Sequence, residues 1–181
     1  MKLCVIPGDG VGQEVVPAAV TVLKHLLPDL QIVSADAGWD CFQRVGDALP
    51  DDTKAAIRDC GAALFGAVSS PSRRVEGYRS AIVQMRREFD LYANLRPTLG
   101  IAIPSAQAAR TEPGTRDAGH ADLLIVRENT QGLYIQREYM RGDEAVAERV
   151  ITAAASERIG RIAFELAARR GNRLTIVHKA N

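Results

Sequence analysis

Long hydrophobic runs are absent from this 181-residue chain. Stretches such as Ala62 to Phe65 and Leu123 to Val126 are a handful of residues long, far short of the ~20 needed to cross a bilayer. A charge excess of either sign is also absent. Lys plus Arg is 23 and Asp plus Glu is 22, a formal charge of +1, which argues against nucleic acid, a membrane surface or an acidic polymer as partner. Cysteine is scarce. Cys4, Cys41 and Cys60 are an odd number at unpatterned spacing, so neither a disulfide framework nor a zinc cluster is supported, and buried thiols in a reducing compartment are expected. The apolar start at Leu3 meets Pro7 and Gly8 at once, too soon for a signal-peptide core and without the Arg-rich texture of a transit peptide. A cytoplasmic protein is the expectation. What is present is ordinary globular material, 46% hydrophobic, 25% charged and 5% aromatic, which excludes disordered, collagenous and low-complexity chains.

Short β-like runs alternate with helical ones. Leu3 to Ile6 reads as a buried strand and Gln13 to Leu27 as a helix, with Val15, Val16, Ala19, Val22, Leu23 and Leu26 on one face. Gln31 to Ala35 reads as a strand, and Asp51 or Asp52 can cap a helix that Gly61 stops. Ala62 to Phe65 is a third strand, Gly77 to Phe89 a helix and Leu91 to Leu95 a strand. This rhythm predicts an α/β fold with a largely parallel sheet. Pro97 to Gly119 lacks periodicity and reads as a loop or insertion. Beyond it come a strand from Leu123 to Arg127, a hairpin of Leu133 to Met140 and Ala145 to Thr152, a helix from Ser156 to Arg170 capped by Ser156, and a strand from Arg173 to Val177.

Three features invite chemistry. Gly8-Asp-Gly10-Val-Gly12 follows a strand and opens a helix, and Asp36 follows a second strand as a ribose-binding acid would, but Gln13 stands at the sixth position of the dinucleotide fingerprint. Both a phosphate cradle and a tight turn beside an active site stay open. Arg86, Arg96 and Arg127 lie at or near element ends. At the carboxyl edge of a parallel sheet they would converge, and an anion would compensate their repulsion. The bland alternative pairs them with Glu88, Asp90 or Glu128. Tyr134, seven residues beyond Arg127, is a candidate proton donor, and Lys179 a candidate base or relay; packing and solvation are their ordinary roles.

Four motifs in order, Ile6-Pro-Gly-Asp-Gly-Val-Gly-Gln-Glu14, Asp90-Leu-Tyr-Ala-Asn-Leu-Arg-Pro97, Val126-Arg-Glu-Asn-Thr-Gln-Gly-Leu-Tyr134 and His178-Lys-Ala-Asn181, resemble the β-decarboxylating dehydrogenases of isocitrate, isopropylmalate and homoisocitrate. The resemblance covers about the first half of a typical member. It implies a truncated form of the isopropylmalate dehydrogenase-like two-domain fold. Residues 1–97 would belong to the large α/β domain, and residues 98–181 to the small one, with a dimer-clasping β arm. It also implies oxidation of a 2-hydroxy-3-carboxy acid with NAD, loss of CO2 and reprotonation of the enol, aided by Mg2+ or Mn2+. Arg86, Arg96 and Arg127 would hold carboxylates, with Ser70, Ser80 and Val83 lining the substrate pocket. Tyr134 would help protonate the enolate and Lys179 relay the hydroxyl proton, the latter in a partner subunit's site. Asn181 would touch substrate or cofactor, and Val68, Ser69 and Ser70 would lie beside the nicotinamide ribose. The metal-binding aspartates and the adenosine loop would lie downstream of Asn181, so the 181-residue polypeptide alone is expected to lack turnover, and the full enzyme to be a homodimer or higher homo-oligomer.

Within the family, isocitrate enzymes resemble Ser-x-Asn-x-x-Leu-Arg, where this chain has Ser80-Ala-Ile82-Val-Gln-Met85-Arg86. Isopropylmalate enzymes resemble a Glu at the position of Arg79. Ser70-Pro-Ser-Arg-Arg-Val-Glu-Gly-Tyr78 with Ala81-Ile-Val83 looks most like homoisocitrate dehydrogenases, of the aminoadipate route to lysine, although some of those carry Arg where Val83 stands. Residues 79, 82, 83 and 86 are expected on one helical face. The alternatives are isocitrate or isopropylmalate as substrate, or a non-catalytic regulatory subunit.

Overall fold

The apolar run at Leu3 to Ile6 becomes the centre of a sheet because both its faces are covered. In the computed structural model, which describes residues 1–100 and 122–178, β1 (Lys2–Gly8) lies between β2 (Gln31–Ser34) and β3 (Ala63–Ala67), all parallel, with Cys4 opposite Val33 on one side and Ile6 opposite Phe65 on the other. Cys4 and Ile6 are fully buried, as a parallel strand with helices on both faces requires. The connections are α1 (Gly12–Leu26), α2 (Trp39–Val45) and α3 (Asp51–Cys60), and α4 (Ala81–Glu88) follows β3. The core joins Cys4, Ile6, Ala37, Leu49, Ala81 and Met85, with Phe42, Phe65 and Phe89 packed against it. These elements make up one compact unit, Met1–Phe89, and Asp90–Asn181 forms a second. The sequence reading put its division after residue 97.

Two helices differ from expectation. The apolar residues of α1 divide between two faces. Val16 is buried and Leu23 half-buried, whereas Val11, Val15, Val22 and Leu26 are all more than half exposed. A 100° step puts the second set within a 60° stripe, away from β1 and β3, which α1 packs against. Helix α4 begins at Ala81 rather than Gly77. Arg79 therefore precedes the helix, and only positions 82, 83 and 86 remain on it. The cap expected of Asp51 or Asp52 is replaced by Pro50, and both acids sit in the first turn of α3, where they still favour the helix dipole.

The cysteines are free thiols, and Cys4 and Cys41 are at most 1% exposed. Burial pushes both thiols above their usual range, so little of the reactive thiolate forms at neutral pH. A thiol-specific disulfide reagent at pH 8 should therefore modify half-buried Cys60 first and reach all three only after denaturation. Rapid labelling of Cys4 in the native chain would contradict the packing.

The second unit corrects the expectation that the strand near Leu91 continues the largely parallel sheet. The strand near Leu91 runs as β4 (Ala93–Leu99) and pairs antiparallel with β5 (Asp122–Glu128) instead of extending the parallel sheet. Apolar content predicts a strand but not its direction or its neighbour. Of the stretch read as a loop, Pro97 to Leu99 are β4, and residues 101–121 lie outside the described residues. Leu133–Ile135 is a 3-10 turn, and the hairpin is shorter than expected, β6 (Glu138–Arg141) and β7 (Glu144–Ala147). Helix α5 (Ala153–Ala168) is capped by Thr152, whose hydroxyl accepts from the Ala155 N–H at 3.3 Å, and not by Ser156, whose hydroxyl donates back to the Thr152 carbonyl. Arg173 to Val177 forms no strand. Among the described residues it has no ladder partner, and Ile176 and Val177 are 79% and 87% exposed; β-branched content cannot make a strand without a neighbour.

Candidate active site

The glycine turn resolves in favour of tight packing. A Cβ at Gly8 would stand 2.1 Å from the Ala67 carbonyl oxygen, and one at Gly12 would stand 2.0 Å from that of Pro7. The space a phosphate would need is filled by the protein's own β1 and β3 backbone. Gln13, the residue that breaks the fingerprint, donates from its amide to the Gly8 carbonyl and closes the turn. Asp36 pairs with Arg44, and its backbone carbonyl accepts from Thr53.

Asp9, inside that turn, is 3% exposed. Its carboxylate accepts the backbone N–H groups of Trp39 at 2.7 Å, Asp40 at 3.0 Å and Ser69 at 2.8 Å. One buried acid thus ties the β1–α1 turn to the start of α2 and to the segment after β3. Val68, half-buried, and Ser69 and Ser70, exposed, occupy that segment. The Ser69 carbonyl accepts from the Tyr78 hydroxyl at 3.2 Å. Further on, an open cleft of about 580 Å³ is lined by Arg74, Val75, Glu76, Gly77, Tyr78 and Arg79. Ser80 precedes α4, and Val83 and Arg86 lie on it, all half-buried.

In the second unit Arg96 and Arg127 share a face of the β4–β5 pair by a different route from the one expected. Arg127 is opposite Asn94 and Arg96 opposite Ile125. Opposed residues point to one face and alternate ones repeat it, so the two arginines are diagonal neighbours, with α-carbons roughly 7–8 Å apart. Both are exposed. Antiparallel register, not convergent parallel ends, brings them together. The Arg127 guanidinium donates to the Tyr134 hydroxyl and lies 5.5 Å from its ring centroid. That bond uses an oxygen lone pair and not the phenolic proton. Lys179 and Asn181 lie outside the described residues.

The expected alternative partners of these arginines are engaged by others. Glu88 pairs with Arg58, while Asp90 and Glu128 face Arg158. Arg158 was not legible as important. It contacts Asp90 at 2.7 Å and the Thr130 hydroxyl at 2.9 Å, and lies 4.2 Å above the Tyr92 ring. Glu128 in turn accepts the N–H groups of Thr130 and Gln131, both at 2.8 Å. Gln131 exchanges hydrogen bonds with Thr152, at 2.9 and 2.7 Å. This network fixes the loop between Arg127 and Tyr134. Replacing Arg158 with Ala should free the loop and cost the second unit about 1–3 kcal/mol in denaturant unfolding, because two carboxylates lose a charged donor; an unchanged midpoint would show the network to be ornamental.

The family model for isocitrate/isopropylmalate dehydrogenase matches residues 2–181. The chain belongs to that family. It is 46% identical over 181 residues to the isocitrate/homoisocitrate dehydrogenase of Thermus thermophilus, covering 99% of this chain and 51% of that protein. It is 43% identical over 182 residues to a 3-isopropylmalate dehydrogenase of Methanothermobacter thermautotrophicus, covering 50% of it. The fold resembles the crystal structure of isocitrate dehydrogenase from Methylococcus capsulatus, with a TM-score of 0.78 and 34% identity over 93% of this chain and 48% of that one. The chain spans about half the length of these relatives. Among the described residues no group of three His, Cys, Asp or Glu could hold a metal ion, so these residues do not fit a complete metal site. No helix among them is long and apolar enough to cross a membrane.

Proposed function

We propose that this chain is the substrate-gripping part of an NAD-dependent enzyme that oxidatively decarboxylates a 2-hydroxy-3-carboxy acid, homoisocitrate to 2-oxoadipate. The observation that carries the reading is the grouping of Arg96, Arg127 and Tyr134 in one unit. Two fixed cations and a phenol suit an acid that must be held by its carboxylates and then reprotonated on carbon. Arg96 and Arg127 hold carboxylates through charge-assisted hydrogen bonds of ~1.5–3 kcal/mol each, and Arg86 on α4 is a further candidate for a carboxylate. Lys179, contributed by a second copy of the chain, takes the hydroxyl proton as the C2 hydride departs. The carboxylate on C3 then leaves as CO2, its bonding pair forms the enolate, and Tyr134 returns a proton to C3. NAD, when bound, accepts the hydride. The exposed residues Ser69 and Ser70, with Val68, fit the ribose of the nicotinamide half, whereas the packed glycine turn does not fit its phosphates.

Homoisocitrate is favoured by the stretch from Ser70 to Tyr78 and by Ile82, where isocitrate enzymes resemble Asn. The similar identity to isopropylmalate and isocitrate/homoisocitrate enzymes supports breadth toward both other acids. One methylene or one polar contact in such a pocket is worth only ~1–3 kcal/mol. The hairpin β6–β7, with Tyr139 and Met140 at 50% and 66% exposure, suits an arm that clasps a second copy. Calorimetric titration of the chain with homoisocitrate, isocitrate and isopropylmalate is the direct test. Saturable binding in that order, weakened by salt, is expected. Binding no stronger than that of succinate would overturn the reading.

A further inference from the structure

We infer that Asp9 is a positioning residue for the cofactor-facing loop, holding Ser69 through a closed ring of contacts that includes Trp39. The inference rests on the assignment of Val68, Ser69 and Ser70 to the cofactor. It begins from an oddity of cost. A carboxylate at 3% exposure is expensive to bury unless its charge is answered. Here the answer is three backbone N–H groups, from Trp39, Asp40 and Ser69, the donors lying 30, 31 and 60 residues away in sequence. The backbone of Asp9 is held as well, its N–H donating to the Ala67 carbonyl at 2.6 Å.

The ring closes on the other side of Ser69. The Ser69 carbonyl takes the Tyr78 hydroxyl, the Tyr78 ring meets the Trp39 ring edge-on at 5.2 Å, and the Trp39 N–H returns to Asp9. Phe42 buttresses both aromatic rings, at 5.5 and 5.2 Å. Gly38 is part of the same device, since a Cβ there would stand 2.5 Å from Asp9 Oδ2. Ser69 is thus gripped at its N–H and its carbonyl while its residue stays exposed. A loop fixed by its backbone presents side chains in one arrangement and loses less freedom when a ligand arrives.

The test uses the full chain and its single tryptophan. Asp9→Ala, Asp9→Asn and Gly38→Ala are compared by amide exchange at Ser69, Trp39 fluorescence and titration with NAD and with homoisocitrate. In Asp9→Ala the Ser69 amide, deprived of its charged acceptor, should exchange at least ~10-fold faster, and NAD affinity should fall roughly 10-fold. Homoisocitrate affinity should stay within about twofold, because the carboxylate of Asp9 holds the backbone of Trp39, Asp40 and Ser69 and none of the carboxylate-binding arginines. Asp9→Asn, which keeps one acceptor oxygen, should fall between, and Gly38→Ala should reproduce the split with the charge still present. Asp9→Asn carries the test if Asp9→Ala or Gly38→Ala, the latter at a φ of +116° that strains any side chain, fails to fold. Unaltered Ser69 exchange in all three variants, or equal losses for NAD and homoisocitrate, would overturn the inference. A wild-type chain that takes up no NAD overturns the cofactor assignment and the affinity half with it. Ser69 exchange still decides whether Asp9 holds the loop.

Discussion

Adding a single methyl at Gly12 should unfold the first unit. The new Cβ would stand 2.0 Å from the Pro7 carbonyl oxygen and 2.8 Å from the Ala67 nitrogen. Both neighbours are backbone atoms of the parallel sheet and cannot swing aside as a side chain does. A Cβ at Gly66 on β3 would stand 2.2 Å from the same Pro7 oxygen and 2.7 Å from the Val16 side chain of α1. The two glycines let α1 and β3 close on β1 around one carbonyl. Relieving either clash means moving a strand against the buried Cys4–Ile6 core, so Gly12→Ala and Gly66→Ala should each cost more than ~3 kcal/mol, above the usual range for overpacking. Gly10 is the control. Its φ is +52° and nothing lies within 4 Å of its would-be Cβ, so Gly10→Ala should cost only the left-handed penalty of ~1–2 kcal/mol. Urea unfolding followed through Trp39 reads all three. Equal midpoints for Gly10→Ala and Gly12→Ala would refute the packing account.

The same turn shows what the residues disclosed beforehand. The defective fingerprint at Gln13 was a correct warning, because the glycines serve backbone contact and Gln13 closes the turn itself. The alternation from Leu3 to Phe65 was legible as strand and helix because burial on both faces leaves a continuous apolar run. Strand partnership was not legible. Leu91 to Leu95 and Leu123 to Arg127 carry no mark of their antiparallel register, and the apolar residues of α1 do not announce that they serve two faces. Family motifs supplied the candidate residues where spacing could not. Asp9 and Arg158 escaped because their roles depend on backbone N–H groups and carboxylates distant in sequence, for which no local pattern exists. An acid between two glycines ahead of a helix was the one available signal.

Arg127 should decide substrate binding more than any other single residue in the second unit. It shares a strand-pair face with Arg96 and donates to the Tyr134 hydroxyl, so under the proposed function its removal deletes a carboxylate fork and releases the proton donor at once. Arg127→Ala should weaken homoisocitrate binding ~100-fold, or about 2.7 kcal/mol, within the range for a bidentate charged pair. Arg127→Lys retains the charge but loses the planar fork, and should recover only part of that, roughly 10-fold. Tyr134→Phe removes the hydroxyl and leaves both cations, so binding should change less than ~3-fold, since a neutral hydrogen bond adds little, while proton return to C3 is lost. Because Arg96 and Arg127 are diagonal neighbours, the double Ala variant should fall short of the summed single losses. Salt should erode the wild-type affinity more steeply than that of Arg127→Ala, since exposed charges are screened over ~8 Å at physiological ionic strength. A wild-type affinity retained in Arg127→Ala would remove the anion cradle from this face, and with it the reason to place the hydroxy acid beside Tyr134.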